Sequence, residues 1–200
     1  MSQRSSQKAE SRGAIVASAA KLVRKCGAQG MSVQDAMAGA GLTVGAFYAH
    51  FADKDALLAE AFELAMADAH ALVAGSAQGK TGAVAGTAVV ARYLSEAHRD
   101  DVQMGCPLPA MLGEAASESS LATRKLLASG VETLRRRIAN ATGDAVDDET
   151  ALALVALLVG GQIVARAVRG TAISSETLGA CQRAGESLLR SGKARKVKRA

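Results

Sequence analysis

Ser32-Val-Gln-Asp-Ala-Met-Ala-Gly-Ala-Gly-Leu-Thr-Val-Gly-Ala-Phe-Tyr-Ala-His-Phe51 is the stretch whose reading sets the architecture. Ser32 followed by Asp35 has the Ser-x-x-Asp form of a helix amino-terminal cap and opens a short helix to about Ala40. Gly41-Leu-Thr43 supplies a tight turn, and a second short helix runs from Val44 to about His50. Two short helices joined through a glycine-containing turn make a helix-turn-helix unit, whose second helix enters the major groove. Gly45, Ala46 and Ala49 are small enough to let that helix approach DNA closely. Thr43 and Val44 stand at its amino-terminal end, where base edges and thymine methyls are reached. Tyr48, His50 and Lys54 offer hydroxyl, imidazole and ammonium donors to phosphates, which position a protein on DNA without specifying sequence. Phe47 and Phe51 read as core holding the reading helix against the helix before it.

Outward from this unit the periodicity stays helical. Ile15, Ala19, Leu22 and Cys26 recur at spacings of 4, 3 and 4, which predicts a helix over about 8–26 ended by Gly27 and Gly30. Asp53 caps a longer helix with Leu58, Phe62, Ala65, Ala69 and Leu72 on its inner side. Residues 75–82 read as a loop, 87–99 as a helix, and 100–105 as a break. Cys106-Pro-Leu-Pro109 starts a shorter helix, with proline tolerated in a first turn. Leu127, Val131, Leu134 and Ile138 place a long helix before Thr142-Gly143. Asp148 opens an almost wholly apolar helix to about Arg169, and Ser174 or Ser175 caps the last one, which carries Leu178, Cys181, Gly185 and Leu188 on one face. The count is about nine helices without a credible strand, an all-α chain.

Composition agrees. Alanine fills 44 of 200 positions, proline two and aromatic residues five, which favours helix over an aromatic-filled sandwich or barrel. The longest uncharged apolar stretch, residues 150–165, falls short of the roughly 20 residues a membrane span requires. The amino terminus lacks the apolar segment of a secretory signal. Three widely spaced cysteines, Cys26, Cys106 and Cys181, suit a reducing cytoplasm. The net +5 is segregated: +4 over residues 1–52, −5 over 53–182 and +6 over 183–200. A basic amino-terminal block on an acidic body is the footprint of a DNA-binding head on a separate body.

Gly41-Leu-Thr-Val-Gly-Ala-Phe-Tyr-Ala-His-Phe51, followed by Asp53-Lys-Asp-Ala-Leu-Leu58, closely resembles the DNA-binding signature of TetR-family (TetR/AcrR-like) transcriptional regulators. The Gly27/Gly30 turn and Ser32 before Val33-Gln-Asp-Ala-Met37 match that family too, so the likeness covers about a quarter of the chain. The resemblance implies an all-helical homodimer: a helix-turn-helix DNA-binding domain over 1–55, a ligand-binding and dimerisation domain over 56–189, and a basic tail over 190–200. The last two long helices would form the dimer interface. Carried over by position, Ser32, Thr43, Tyr48, His50 and Lys54 fall where the family contacts the DNA backbone. Val44 and Gly45 fall on the base-reading turn, with Ala46 beside them. Asp53 stands where the family commonly has serine, and either residue caps a helix. Gly105-Cys-Pro-Leu-Pro109 with Glu114 is similar to a motif in some branches of the family.

These readings predict a cytoplasmic repressor that leaves a near-palindromic double-stranded operator when a small-molecule inducer enters the body. No catalytic residue, metal ligand set or cofactor is expected. Tyr93, Met104, Cys106, Met111 and Gln162 are the candidate ligand-pocket residues, as flexible or polar groups on helices around the centre of the body. Cys106 near a helix start could have its pKa lowered by the helix dipole, so a thiol-responsive regulator of the same fold is one alternative. A helical interaction module or small enzyme with an incidental basic head is the other. Cys26 and Cys181 read as packed small hydrophobes and Arg135-Arg-Arg137 as a solvated face. Gly39-Ala-Gly41-Leu-Thr-Val-Gly45 follows no strand, so it is no dinucleotide fingerprint. Ser18-Ala-Ala-Lys21 lies within a helix and lacks the companion motifs of a serine acyl-enzyme site.

Overall fold

The computed structural model describes residues 3–115 and 120–197, with side-chain surroundings over 5–115 and 120–191. Among the described residues there are nine α-helices, two short 3₁₀ segments and no strand. The helices are α1 (Gln3–Gly30), α2 (Val33–Gly39), α3 (Lys54–Ala77), α4 (Gly82–Tyr93) and α5 (Glu96–Asp100). They continue as α6 (Leu108–Ala115), α7 (Leu121–Thr142), α8 (Asp148–Ala167) and α9 (Ala172–Val197). The 3₁₀ segments are Val44–Ala49 and Gly143–Ala145.

Local chemistry explains most boundaries. Ser32, Asp53, Ser95, Ser120 and Asp147 each stand as N-cap and accept a hydrogen bond from the backbone N–H three residues on. Ser95 is why the helix expected over 87–99 is two: its hydroxyl caps α5 and the chain breaks after Tyr93. The loop expected over 75–82 is shorter, because α3 runs through Gly75 to Ala77. A lone glycine weakens a helix by about 1 kcal/mol relative to alanine but does not end it. Neither Ser174 nor Ser175 caps the last helix. α9 starts at Ala172, and Ser174 is buried with its hydroxyl donating to Ala165 O at 2.7 Å.

α1 extends past Cys26, but its backbone is non-helical at Cys26 and Gly27, where φ reaches +70° at Gly27. That left-handed conformation kinks the helix before its last turn. Against expectation, Cys26 is exposed, since the kink turns it off the stripe that buries Ile15, Ala19 and Val23.

The core runs continuously from the amino-terminal helices into the body. α3 is the spine, burying Leu57, Leu58, Ala61, Phe62, Ala65, Met66, Ala69 and Val73, with Leu72 only half-buried. α8 and α9 pack closely, and a side chain at Gly161 would drive into Leu94 and Cys181. Leu154 and Leu158 are fully buried on α8, each contributing about 1.5–3 kcal/mol of hydrophobic stabilisation. Among the described residues, α8 is the one helix long and apolar enough to cross a membrane by length and composition. Half of its most apolar window is buried inside the protein, which is how an all-round apolar helix meets its need for cover.

Of the solvated face expected at 135–137, Arg136 and Arg137 are exposed, whereas Arg135 is half-buried and bridges Glu132 at 2.7 Å and Asp148 at 2.6 Å, pinning α7 to the start of α8. Of the basic tail, residues 198–200 and the side chains from 192 onward lie outside the described residues.

Candidate nucleic-acid interface

The Ser32 hydroxyl accepts from Asp35 N at 2.9 Å and donates to the Asp35 carboxylate at 2.6 Å, closing the start of α2 on itself. α2 ends in a tight turn in which Gly41 N–H donates to Ala38 O and Leu42 N–H to Met37 O. Gly41 has φ +70°, so glycine is the residue this turn requires. Thr43 is extended and leads into Val44–Ala49, the expected second short helix, which is 3₁₀.

Phe47 is 2% exposed and stacks on Phe51 with ring centroids 5.8 Å apart. Tyr48 meets the edge of Phe47 at 5.2 Å yet remains 78% exposed, and Val44 is 48% exposed. Thr43, Gly45 and Ala49 are exposed beside them, and Ala46 is half-buried. Phe47 therefore anchors the segment and turns its other face outward. A Cβ added at Gly45 would meet no protein atom, so packing does not demand glycine there.

Arg12 of α1 holds this segment from behind. Its guanidinium lies 4.1 Å from the Phe51 ring centre, donates to His50 O and pairs with Glu60 of α3. One cation thus joins α1, the end of the exposed segment and α3. His50 is half-buried and its Nδ1 is a buried atom without a protein partner. Lys54 is half-buried at the start of α3, with Nζ donating to Gln29 O at 3.5 Å, and Asp53 accepts from Ala56 N at 2.7 Å. The structure therefore brings Ser32, Thr43, Val44, Gly45, Ala46, Tyr48, His50 and Lys54 into the α2–turn–α3 region.

Two further groups tie α1 to the rest. The N–H groups of Ala28 and Gln29 follow directly after the kink at Gly27. The Glu114 carboxylate of α6 accepts both at 2.6 Å. A side chain at Gly27 would collide with that carboxylate. Arg24, almost fully buried, pairs with Asp68 of α3 and donates to Gln103 O at 3.1 Å. Sequence reasoning missed Arg12 and Arg24 altogether and noted Glu114 only as part of a motif. The Gly27/Gly30 turn marks where α1 bends, but the carboxylate that binds there lies 86 residues from Ala28 and is set by tertiary packing.

In the body, Tyr93, Cys106, Met111 and Gln162 are all buried. Met104 does not join them; it is 57% exposed on the segment before α6. Gln162 Nε2 donates to Tyr93 O at 2.6 Å. His98, which sequence reasoning did not place here, completes the cluster. Its Nε2 accepts from Cys106 N–H at 3.2 Å, so the proton sits on Nδ1 and is donated to Tyr93 O at 2.6 Å. That pattern needs a neutral ring, and burial lowers the His98 pKa to about 4. Burial pushes the Cys106 thiol up, the reverse of the expected helix-dipole effect, and also pushes the facing Tyr93 hydroxyl up.

Residues 15–61 match the family described as bacterial regulatory proteins, tetR family. A TetR-family transcriptional regulator from Cytophaga hutchinsonii superposes with a TM-score of 0.73 at 19% identity, covering 92% of this chain and 96% of that one. One from Chloroflexus aurantiacus J-10-FL gives 0.69 at 24% identity, covering 90% and 94%. One from Streptomyces coelicolor gives 0.72 at 18% identity, covering 96% of each chain. No curated protein matches the sequence. The amino-terminal domain is that of the tetR-family bacterial regulators, and the whole chain has the fold of TetR-family transcriptional regulators.

Proposed function

We propose that the chain is a ligand-responsive DNA-binding regulator acting in the cytoplasm, a homodimeric repressor released from a near-palindromic operator by a small-molecule inducer. The observation that carries this reading is the exposed Val44–Tyr48 face. Two large side chains stand in solvent, a glycine occupies open space, and Phe47 is buried behind them. Val44, Gly45 and Ala46 take the base-reading role, with Ser32, Thr43, Tyr48, His50 and Lys54 toward the phosphates. Residues 1–55 are the head, 56–189 the body and 190–200 a basic tail, with α3 crossing from head into body.

The homodimer uses α8 and α9. In support, Leu152 and Val164 of α8 and Ile173 of α9 are about half exposed. A C₂ pair would set two heads about one DNA turn or a multiple apart, hence the near-palindrome. The inducer lies near Tyr93, Cys106, Met111 and Gln162. In support, Gln162 Oε1 is buried without a protein donor and is left as an acceptor for a ligand. A ligand that prefers a head spacing unlike the operator-bound one weakens DNA binding, and DNA weakens ligand binding by the same factor.

Selection of bound sequences from a random duplex library, followed by affinity against salt, tests the reading. An enriched palindrome with a steep salt slope supports it. Tight binding without enrichment makes the chain a nonspecific DNA coat, and no binding removes the DNA role.

A further inference from the structure

A cavity of about 420 Å³ lies where α1 meets α5, α6 and α8, within the size range of small-molecule sites. Arg24 and Lys25 of α1, Arg99 of α5, Arg166 of α8 and Arg169 just beyond it all line the cavity. Among the described residues, no acidic residue does. The rest of the wall is apolar and includes Val102, Pro109, Ala110 and Ile163. Five cations around one space repel one another, so the arrangement favours an anion between them.

The protein's own carboxylates answer part of this charge from outside the cavity. Asp68 pairs with Arg24, and Asp100 pairs with Arg99 at 2.9 Å and lies 3.8 Å from Arg169. Glu96 reaches Arg99 at 3.6 Å. Among the described residues, no carboxylate pairs with Arg166. Its Nη2 donates to His98 O at 2.9 Å, while Nε and Nη1 are buried without an acceptor. Arg24 Nε is buried without one as well, on a side chain that is almost fully covered. Buried guanidinium N–H groups without acceptors are costly, and an oxyanion is the partner whose geometry they fit.

We propose that this cavity binds a small molecule through a carboxylate or phosphate group held among Arg24, Lys25 and Arg166, with its remainder against the Val102–Ile163 wall. Tyr93, Cys106, Met111 and Gln162 do not line this cavity, and Arg166 adjoins their cluster through its bond to His98 O. The binding site stands without the regulator reading; its consequence for DNA rests on that reading and adds a second, anionic ligand to the inducer. Because α1 belongs to the head and α5 and α8 to the body, the occupant joins the two. Its affinity and that for DNA are then coupled reciprocally.

Calorimetric titration of the full chain at fixed ionic strength, with inorganic phosphate, octanoate and neutral octanamide, tests this. Saturable binding of phosphate or octanoate with one site per chain, and none of octanamide, is the expected result. Phosphate alone places the ligand among phosphate esters, and octanoate alone among carboxylic acids. Lys25→Gln and Arg169→Gln alter exposed residues and leave the fold's circular dichroism and melting unchanged. Lys25→Gln weakens anion binding about tenfold, the loss of one charge-assisted contact, and Arg169→Gln, which removes a lining charge without a direct contact, weakens it about threefold. Binding of neither anion, or anion binding unchanged in both variants, overturns the proposal. So does a loss of DNA affinity in those variants with anion binding intact, which would move the charges to the DNA interface. Anion binding with the expected losses but no effect on operator affinity keeps the site and removes its coupling to DNA. A failed operator selection with intact anion binding removes only the regulator reading.

Discussion

The Glu114 carboxylate lies 2.6 Å from the backbone nitrogen of Ala28 and so caps, from the body, the last turn of the helix on which the head is built. Glu114→Ala strips the acceptor from two N–H groups, and each exposes a partly desolvated donor. We expect a loss of about 1–3 kcal/mol in unfolding free energy and a several-fold loss of operator affinity as the turn before Ser32 frays. Chemical denaturation and a DNA titration measure the two. Unchanged stability together with unchanged affinity would mean that solvent replaces the cap at no cost.

Gly45 separates folding from binding. A side chain there meets open space, so Gly45→Val should shift stability by no more than about 0.5 kcal/mol while abolishing selective DNA binding. Tyr48→Phe and Lys54→Ala should instead weaken all sequences evenly, and Lys54→Ala should lower the salt slope by about one. Full DNA binding by Gly45→Val, read by gel shift against the selected operator, would place the interface elsewhere.

His98 makes a specific pH dependence. Its folded pKa of about 4 lies below the ordinary 6.5, so the unfolded chain binds the extra proton first. The contribution of His98 is complete above about pH 6.5 and is lost as pH falls toward 4. It amounts to about 3 kcal/mol. Unfolding free energies between pH 4 and 7 should fall less steeply for His98→Gln than for the parent. Equal slopes would show that the ring does not carry this linkage.

The thiols should differ in reaction rate. Cys106 is buried with its pKa raised, whereas Cys26 is exposed. At pH 7.5 a disulfide reagent should label Cys26 in the folded protein well before Cys106, whose labelling should track unfolding. Fast labelling of Cys106 under native conditions would revive the thiol-responsive alternative.

Leu152 offers the test of assembly. It stands half exposed on α8 beside an apolar groove that includes Val155, Ala156 and Val159. Leu152→Glu should yield a folded monomer by sedimentation velocity and lose the affinity gained from two half-sites. A dimer that survives this change would use another surface.

The helix-turn-helix was legible because its determinants are local. Ser32 caps within three residues, Gly41 permits the turn, and Phe47 and Phe51 repeat at helical spacing. Helix periodicity likewise located α3, α7 and α8, while the Ser95 cap and the helical Gly75 show where local signals were misweighed. What the amino-acid sequence by itself determined was an all-α chain and the helix-turn-helix segment, since those depend on interactions within a few residues. Only the tertiary structure decided that Glu114 caps Ala28, that Arg12 clasps His50 from behind, and that Arg24, Arg99 and Arg166 share one cavity. Each of those joins residues far apart along the chain, and packing of the buried helix faces, not local propensity, sets which polar groups are left to meet.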